Sequence, residues 1–237
     1  MKKIIFFVVT VTFALLFSSC TFPIKGEGTI TTREIKLNNV KQISAKGSCR
    51  LVYLYDNKKP RMIIETHENL IDNLKIHTEE GQLSISESRR VKDADLYNVY
   101  IYNPEIEYFE LHDQVNIDVN SQLRISKLNI ILSDVSKFLG NSIVVDELNV
   151  KVKDNAKINL QGEGNKLILH ASDASDFSAP FLELSEVKIQ LSDVATVELN
   201  IKNKLVGKLS DNSRLTVIGN PAKDIKQTDL SKVDYKK

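Results

Sequence analysis

The chain is predicted to be all-β, a right-handed parallel β-helix (solenoid) with a strand-rich lead-in before it. Three observations carry this. A seven-residue phrase (apolar, polar, Asp, any, small, any, apolar) recurs six times. Its copies begin at Leu111, Leu132, Val152, Ala171, Leu191 and Leu209. Their aspartates, Asp113, Asp134, Asp154, Asp173, Asp193 and Asp211, stand 21, 20, 19, 20 and 18 residues apart. A period of about 20 residues marks one structural unit copied along an axis. Apolar and polar residues also alternate on both sides of each aspartate. Leu148, Val150 and Val152 precede one corner, and Ala156, Ile158 and Leu160 follow it. Strict period two marks strands with one buried face.

The N-terminus reads as an export signal rather than as part of the fold. Lys2 and Lys3 precede an uncharged apolar stretch from Ile4 to Phe17, which is short for a membrane span and ends in Ser18-Ser19 before Cys20. Small residues directly before a cysteine resemble the lipobox of bacterial lipoproteins. The resemblance implies that residues 1–19 are removed and that Cys20 becomes an acylated N-terminus. Acyl chains at about 0.8 kcal/mol per buried methylene hold such a protein on its membrane. Thr21 stands in place of an aspartate after the cysteine, and the resemblance to lipoproteins of this type implies sorting to the outer membrane and leaves open which face is occupied. With Cys20 acylated, Cys49 has no partner, so no intramolecular disulfide is expected.

Residues 20–105 form the lead-in or cap. Ile30–Leu37, Arg50–Tyr55 and Arg61–Glu65 read as strands, with a turn at Asn57–Pro60. A helical turn or loop is expected at Glu68–Leu74, then a hairpin around Glu79-Glu80-Gly81 and a strand over Leu96–Tyr102. The segment Ala45–Leu51 fits the corner phrase, with Gly47 at the Asp place and Cys49 at the small place. Cys49 is therefore read as a packed corner residue rather than a nucleophile.

Residues 106–220 are the repeats. Each coil has two strands flanking the Asp corner, and a third, less regular strand fits near Leu123–Ile125, Ile143–Val145 and Leu182–Leu184. Asp tolerates left-handed backbone angles and bonds its own chain, which suits a corner that bends alike in every coil. The competing reading is a carboxylate ladder for calcium or sugar. Calcium needs six to eight converging oxygens, which one Asp per coil does not supply. Stacked carboxylates repel unless neutralised, and Lys137, Lys157 and Arg214, three residues past their aspartates, are expected to help. Residues 221–237 read as a polar, lysine-rich tail.

The chain resembles the auto-transporter adhesin head GIN domain family over about residues 24 to 220. The resemblance rests on Gly26-Glu27-Gly28, Val40–Ile43, Ile63–Thr66 with Glu68-Asn69-Leu70, Leu83-Ser84-Ile85 and Gly219-Asn220-Pro221. The family's corner usually reads Ser-Gly-Ser-Gly-Asp, and here Asp replaces the first Gly in all six copies. The family implies a β-helical domain on a lipoprotein or secreted chain.

The net charge of +1 and the well-mixed charges do not point to nucleic acid. The four histidines form no metal-spaced pair, and no nucleophile elbow or phosphate loop is present. No catalytic residue, metal or cofactor is expected. The reading is a non-catalytic, membrane-anchored envelope module with a glycan or protein ligand. Two alternatives stand beside it: a carbohydrate-active lyase or hydrolase on the same scaffold, and a structural protein that assembles with itself as a homo-oligomer. The outward face before the corner (Asn129, Ile131, Asn149, Lys151, Ile168, His170, Lys188, Gln190, Val206 and Lys208) is mixed in character and suited to a ligand.

Overall fold

A computed structural model describes residues 22–236. The segment read as an export signal, and Cys20, lie outside the described residues. The repeats form a β-solenoid. Strands β10 (Tyr108–Asp113), β11 (Asn116–Val119) and β12 (Leu123–Leu132) lead into β13 (Lys137–Val152), β14 (Lys157–Ala171), β15 (Asp176–Leu191) and β16 (Thr196–Leu209). Three further strands complete the stack: β17 (Arg214–Ile218) and β18 (Ala222–Gln227) both pair with β16, and β19 (Lys232–Lys236) pairs with β17. Every pairing from β10 onward is parallel.

Two expectations are corrected. The separate third strand does not exist in the middle coils. Strands of 14 to 16 residues run through the second bend with only a register shift there, as at Gly140/Ile143. The close approach of backbone at that bend needs glycine: Gly162 has φ +133°, and a Cβ there would lie 2.0 Å from the Ile143 carbonyl oxygen. The segment read as a polar tail is also structured. β18 and β19 form another coil, and Asp229 turns its corner at φ 57°.

Inward residues stack in continuous rows. Leu111, Leu132, Val152, Ala171, Leu191 and Leu209 form one row before the corner, all buried. Leu51, Ile117, Phe138, Ile158, Phe177, Val197 and Leu215 form one after it. Phe109 and Phe138 meet edge to face at 5.2 Å, a geometry that adds about 1 kcal/mol to their burial. The small corner residues Ser136, Ala156, Ser175, Ala195 and Ser213 are buried as expected.

The lead-in is woven differently. It contains β1 (Ile24–Lys25), β2 (Ile30–Lys36), β3 (Gln42–Gly47), β4 (Arg50–Tyr55) and β5 (Arg61–His67), then the turn α1 (Glu68–Ile71). β6 (Leu74–Glu79), β7 (Gln82–Glu87), β8 (Val91–Asp93) and β9 (Tyr97–Asn103) follow. β3 and β4 form the first coil, with Gly47 in register with Asp113. On their other side lie β7 and β9, also parallel. The first coil is thus held between segments that come later in sequence. Antiparallel β6 covers β7, β5 covers β9, and β2 covers β5. Cys49 is fully buried, and burial pushes its thiol up to about 12.

Candidate functional site: the aspartate edge and the faces beside it

All six predicted aspartates lie in one row on the corner edge, at φ 56° to 61°. Asp229 extends the row. The left-handed region costs an ordinary L-residue roughly 1–2 kcal/mol, and Asp enters it more readily than most. Each carboxylate from Asp134 onward is tied to the coil before it. The Asp113 N–H donates to Asp134 Oδ2 at 3.1 Å, Asp134 to Asp154 at 3.2 Å, and Asp154 to Asp173 at 3.3 Å. Asp173 donates to Asp193 at 3.2 Å, Asp193 to Asp211 at 3.1 Å, and Asp211 to Asp229 at 3.3 Å. Hydroxyls of Ser133, Ser172, Ser192 and Ser210 donate to the same Oδ2 atoms at 2.7 to 3.0 Å. Hydrogen bonds to a charged group contribute about 1.5–3 kcal/mol, toward the low end when exposed, enough to offset the backbone cost.

The ladder carboxylates from Asp134 onward are therefore held by peptide N–H and, in four coils, serine O–H donors. Among the described residues Lys137, Lys157 and Arg214, expected to screen the ladder, make no ion pair with it. Lys153 beside Asp154 does, at 3.4 Å. The Ser133 hydroxyl and then the Asp113 N–H hold Asp134 below the usual carboxylate range, and Ser210 and the Asp193 N–H do the same for Asp211. Among the described residues no three His, Cys, Asp or Glu side chains converge as a metal cluster. The row's geometry is that of a backbone cap repeated in each coil.

Sequence reasoning missed Asp229, although Thr228-Asp229-Leu230-Ser231-Lys232-Val233 carries most of the phrase. Gln227 stands where the other copies have an apolar residue. It also missed the N–H donors, which have no side-chain signature.

The face before the corner carries two contrasting outward rows. Seven residues ahead of the aspartates stand Lys127, Glu147, Lys166, Glu186 and Lys204, in register and alternating in sign. Lys127 and Lys166 reach Glu147 at 2.9 and 3.6 Å. The Asn149 amide, then Lys127, holds the Glu147 carboxyl down to about 2. Three residues ahead of the aspartates stand Lys151, His170, Gln190, Lys208 and Lys226, also in register and all exposed. Lys151, Lys208 and Lys226 have no ion-pair partner among the described residues. A shallow groove of about 280 Å³ runs along this second row, lined by Lys151, Lys153, His170, Ser172, Gln190 and Ser192 among others.

Several solved structures share the fold. A Bacteroides fragilis protein described as a "putative adhesin" superposes with a TM-score of 0.84 at 16% identity, covering 90% of this chain and 99% of that one. A Parabacteroides distasonis protein with the same description has a TM-score of 0.73 at 14% identity, over 90% and 100% of the two chains. A second P. distasonis protein, described as a "putative lipid binding protein", has a TM-score of 0.71 at 16% identity, over 91% and 100%. No curated protein is significantly similar in sequence. Residues 39–221 match the family model described as "Putative auto-transporter adhesin, head GIN domain", and the chain belongs to that family.

Proposed function

We propose that this protein is a lipid-anchored envelope protein whose solenoid is a non-catalytic adhesion module for extended acidic glycans. The observation that carries the reading is a cationic row in which three lysines, Lys151, Lys208 and Lys226, stand without ion-pair partners among the described residues. Lys151, His170, Lys208 and Lys226 repeat at one register position, with Lys153 and Lys188 exposed beside them. Rungs stack about 4.8 Å apart, so Lys208 and Lys226 stand on adjacent rungs, with Lys151 at the other end of the row beyond His170 and Gln190. In the neighbouring alternating row Lys127 and Lys166 pair with Glu147, whereas Lys151, Lys208 and Lys226 leave their charge to solvent or to a ligand. A linear polyanion lying in the groove meets several cations at once, and the serine, glutamine and histidine side chains offer hydrogen bonds to sugar hydroxyls. The adhesin description of the family supports a binding role, and the Ser-Ser-Cys20 sequence supports an acyl anchor on the outer membrane.

Binding of polygalacturonate and hyaluronan, against neutral dextran, tests the glycan reading. The expected result is binding to the acidic polymers that weakens with salt and falls roughly tenfold or more in a Lys151→Gln/Lys208→Gln variant. Equal binding to dextran, or turnover of the acidic polymer, overturns it. Incorporation of an alkyne-labelled fatty acid, abolished by Cys20→Ala, tests the anchor.

A further inference from the structure

The aspartate ladder has one defective rung, at its first corner. Gly47 occupies the Asp place with φ +129°, about 70° from the aspartates' narrow range. Its N–H makes no bond to the Asp113 carboxylate, and the residue before Asp113 is His112, whose ring meets Ser133 Oγ at 2.7 Å and Glu110 at 3.2 Å. Among the described residues Asp113 is thus the one corner aspartate whose carboxylate accepts no hydrogen bond. The place of the missing side chain is taken by Glu87, whose carboxyl carbon would lie 2.5 Å from a Cβ on Gly47. A hollow lies beside this corner. The open space is about 420 Å³ and is lined by Lys46, Ser86, Arg90, Asp113, Gln114 and Val135, with Glu87 and Asp134 at its wall. That size falls within the range of small-molecule sites, about 300–1,000 Å³.

The charges at the hollow divide cleanly. Glu87 is occupied: Oε1 accepts from the Ser48 N–H at 2.7 Å and the Ser48 hydroxyl at 2.9 Å, and Oε2 from the Val91 N–H at 3.2 Å. Asp134 is occupied by the Asp113 N–H and the Ser133 hydroxyl. Lys46 and Arg90 have no ion-pair partner among the described residues and are exposed. The groups left without a partner are the cations Lys46 and Arg90, the Asp113 carboxylate and Asp134 Oδ1, while Glu87 and Asp134 keep their charge because their donors are neutral; beside them stand the Ser86 hydroxyl, the Gln114 amide and the 43% exposed Val135.

The geometry points to a second binding site at the Gly47 notch, for a monosaccharide-sized sugar acid. Arg90 and Lys46 meet its carboxylate, Asp113 accepts from its hydroxyls, and Val135 packs against its carbon–hydrogen face. The site is distinct from the cationic row and does not depend on it.

Titration of the protein with free galacturonate and N-acetylneuraminate, followed by NMR shifts and calorimetry, tests the site, with glucose as the neutral control. Shifts at Gly47, Asp113 and Gln114 on adding a sugar acid, and none with glucose, are expected. Arg90→Gln and Asp113→Asn should each weaken binding roughly tenfold, while Lys151→Gln/Lys208→Gln leaves it unchanged. Asn keeps the left-handed corner accessible, so Asp113→Asn is expected to fold. Absence of binding at millimolar sugar acid, or binding indifferent to Arg90→Gln, overturns the notch site. Polymer binding that persists in either case shows that the cationic row stands without it.

Discussion

The two ends of this molecule solve one problem in different ways. From Tyr108 onward each coil buries its apolar row against the next, and the ladders between successive coils are parallel and close in sequence. The lead-in instead closes the solenoid with antiparallel strands laid over β7 and β9, and it inserts its first coil between segments far away in the chain. The far end is closed by side chains rather than by strands. Lys223 and Gln227 take the register positions of Leu205 and Leu209, and the Lys223 ammonium lies 3.9 Å from the centre of the Tyr235 ring. A repeat can be capped cheaply where its core is allowed to turn polar, but closing an apolar end takes a woven cap. In repeat architectures stability is nearly a sum of coil and interface contributions, so the two regions should respond differently to the same insult.

The largest difference is expected on deletion. Removing one period, residues 154–172, rejoins matching register positions and should leave a folded protein one coil shorter. Removing β6 and β7 strips the cover from Ile43 and Ala45, both buried, and should give insoluble chain. Circular dichroism and solubility separate the two, and equal outcomes would erase the distinction between cap and repeat.

Next in size are single core truncations. Phe138→Ala removes a buried ring that touches Phe109, at an expected cost of about 3–5 kcal/mol in urea unfolding. At the corner, Asp173→Ala loses two donors' acceptor and left-handed tolerance together, for roughly 1–3 kcal/mol. Asp173→Asn keeps both a carbonyl acceptor and the backbone preference and should cost much less. If Ala and Asn behave alike, the carboxylate ladder is not what holds the corner.

Acid should act on both regions through depressed carboxyls. In the cap the Arg61 guanidinium, followed by the Lys58 and Lys59 N–H groups, holds Asp56 down to about 2. In the repeats Glu147 is also near 2, and Asp134 and Asp211 are lowered. Folded values below unfolded ones mean that this stability is complete above the ordinary carboxylate range near 4 and is lost as pH falls through the depressed values. Urea midpoints should therefore be flat from neutrality to about pH 4 and fall below it. A decline beginning at pH 6 would contradict the assignment.

The smallest effect is a reporter. Cys49 should be inert to a thiol reagent in the native protein, because burial favours the neutral thiol. Under mild urea it should react before the repeats lose their β-signal if the cap opens first. Simultaneous loss would make cap and repeats one cooperative unit.

Much of the repeat region could be read from residues alone, because a period of 20 forces each corner to reuse one residue type and one alternation. Gly47 and Cys49 were placed correctly by the same frame, since they obey the phrase with substituted letters. The insertion of β3 and β4 between later segments was not legible, because strand pairing across the cap leaves no period. The last coil was hidden by the polar residues that terminate the core, Lys223 and Gln227. The cationic row was visible residue by residue, but its lack of partners emerged only from the register that pairs Lys127 with Glu147 and leaves Lys151 unpaired.

The central claim is that the corner carboxylates hold adjacent coils together through peptide N–H groups. Amide hydrogen exchange at Asp134, Asp154, Asp173 and Asp193 measures those bonds directly. The account expects strongly slowed exchange at these edge positions, with Asp154 speeding up when Asp173 is changed to Ala. Exchange at the rate of an unstructured peptide in the unmodified protein would contradict it.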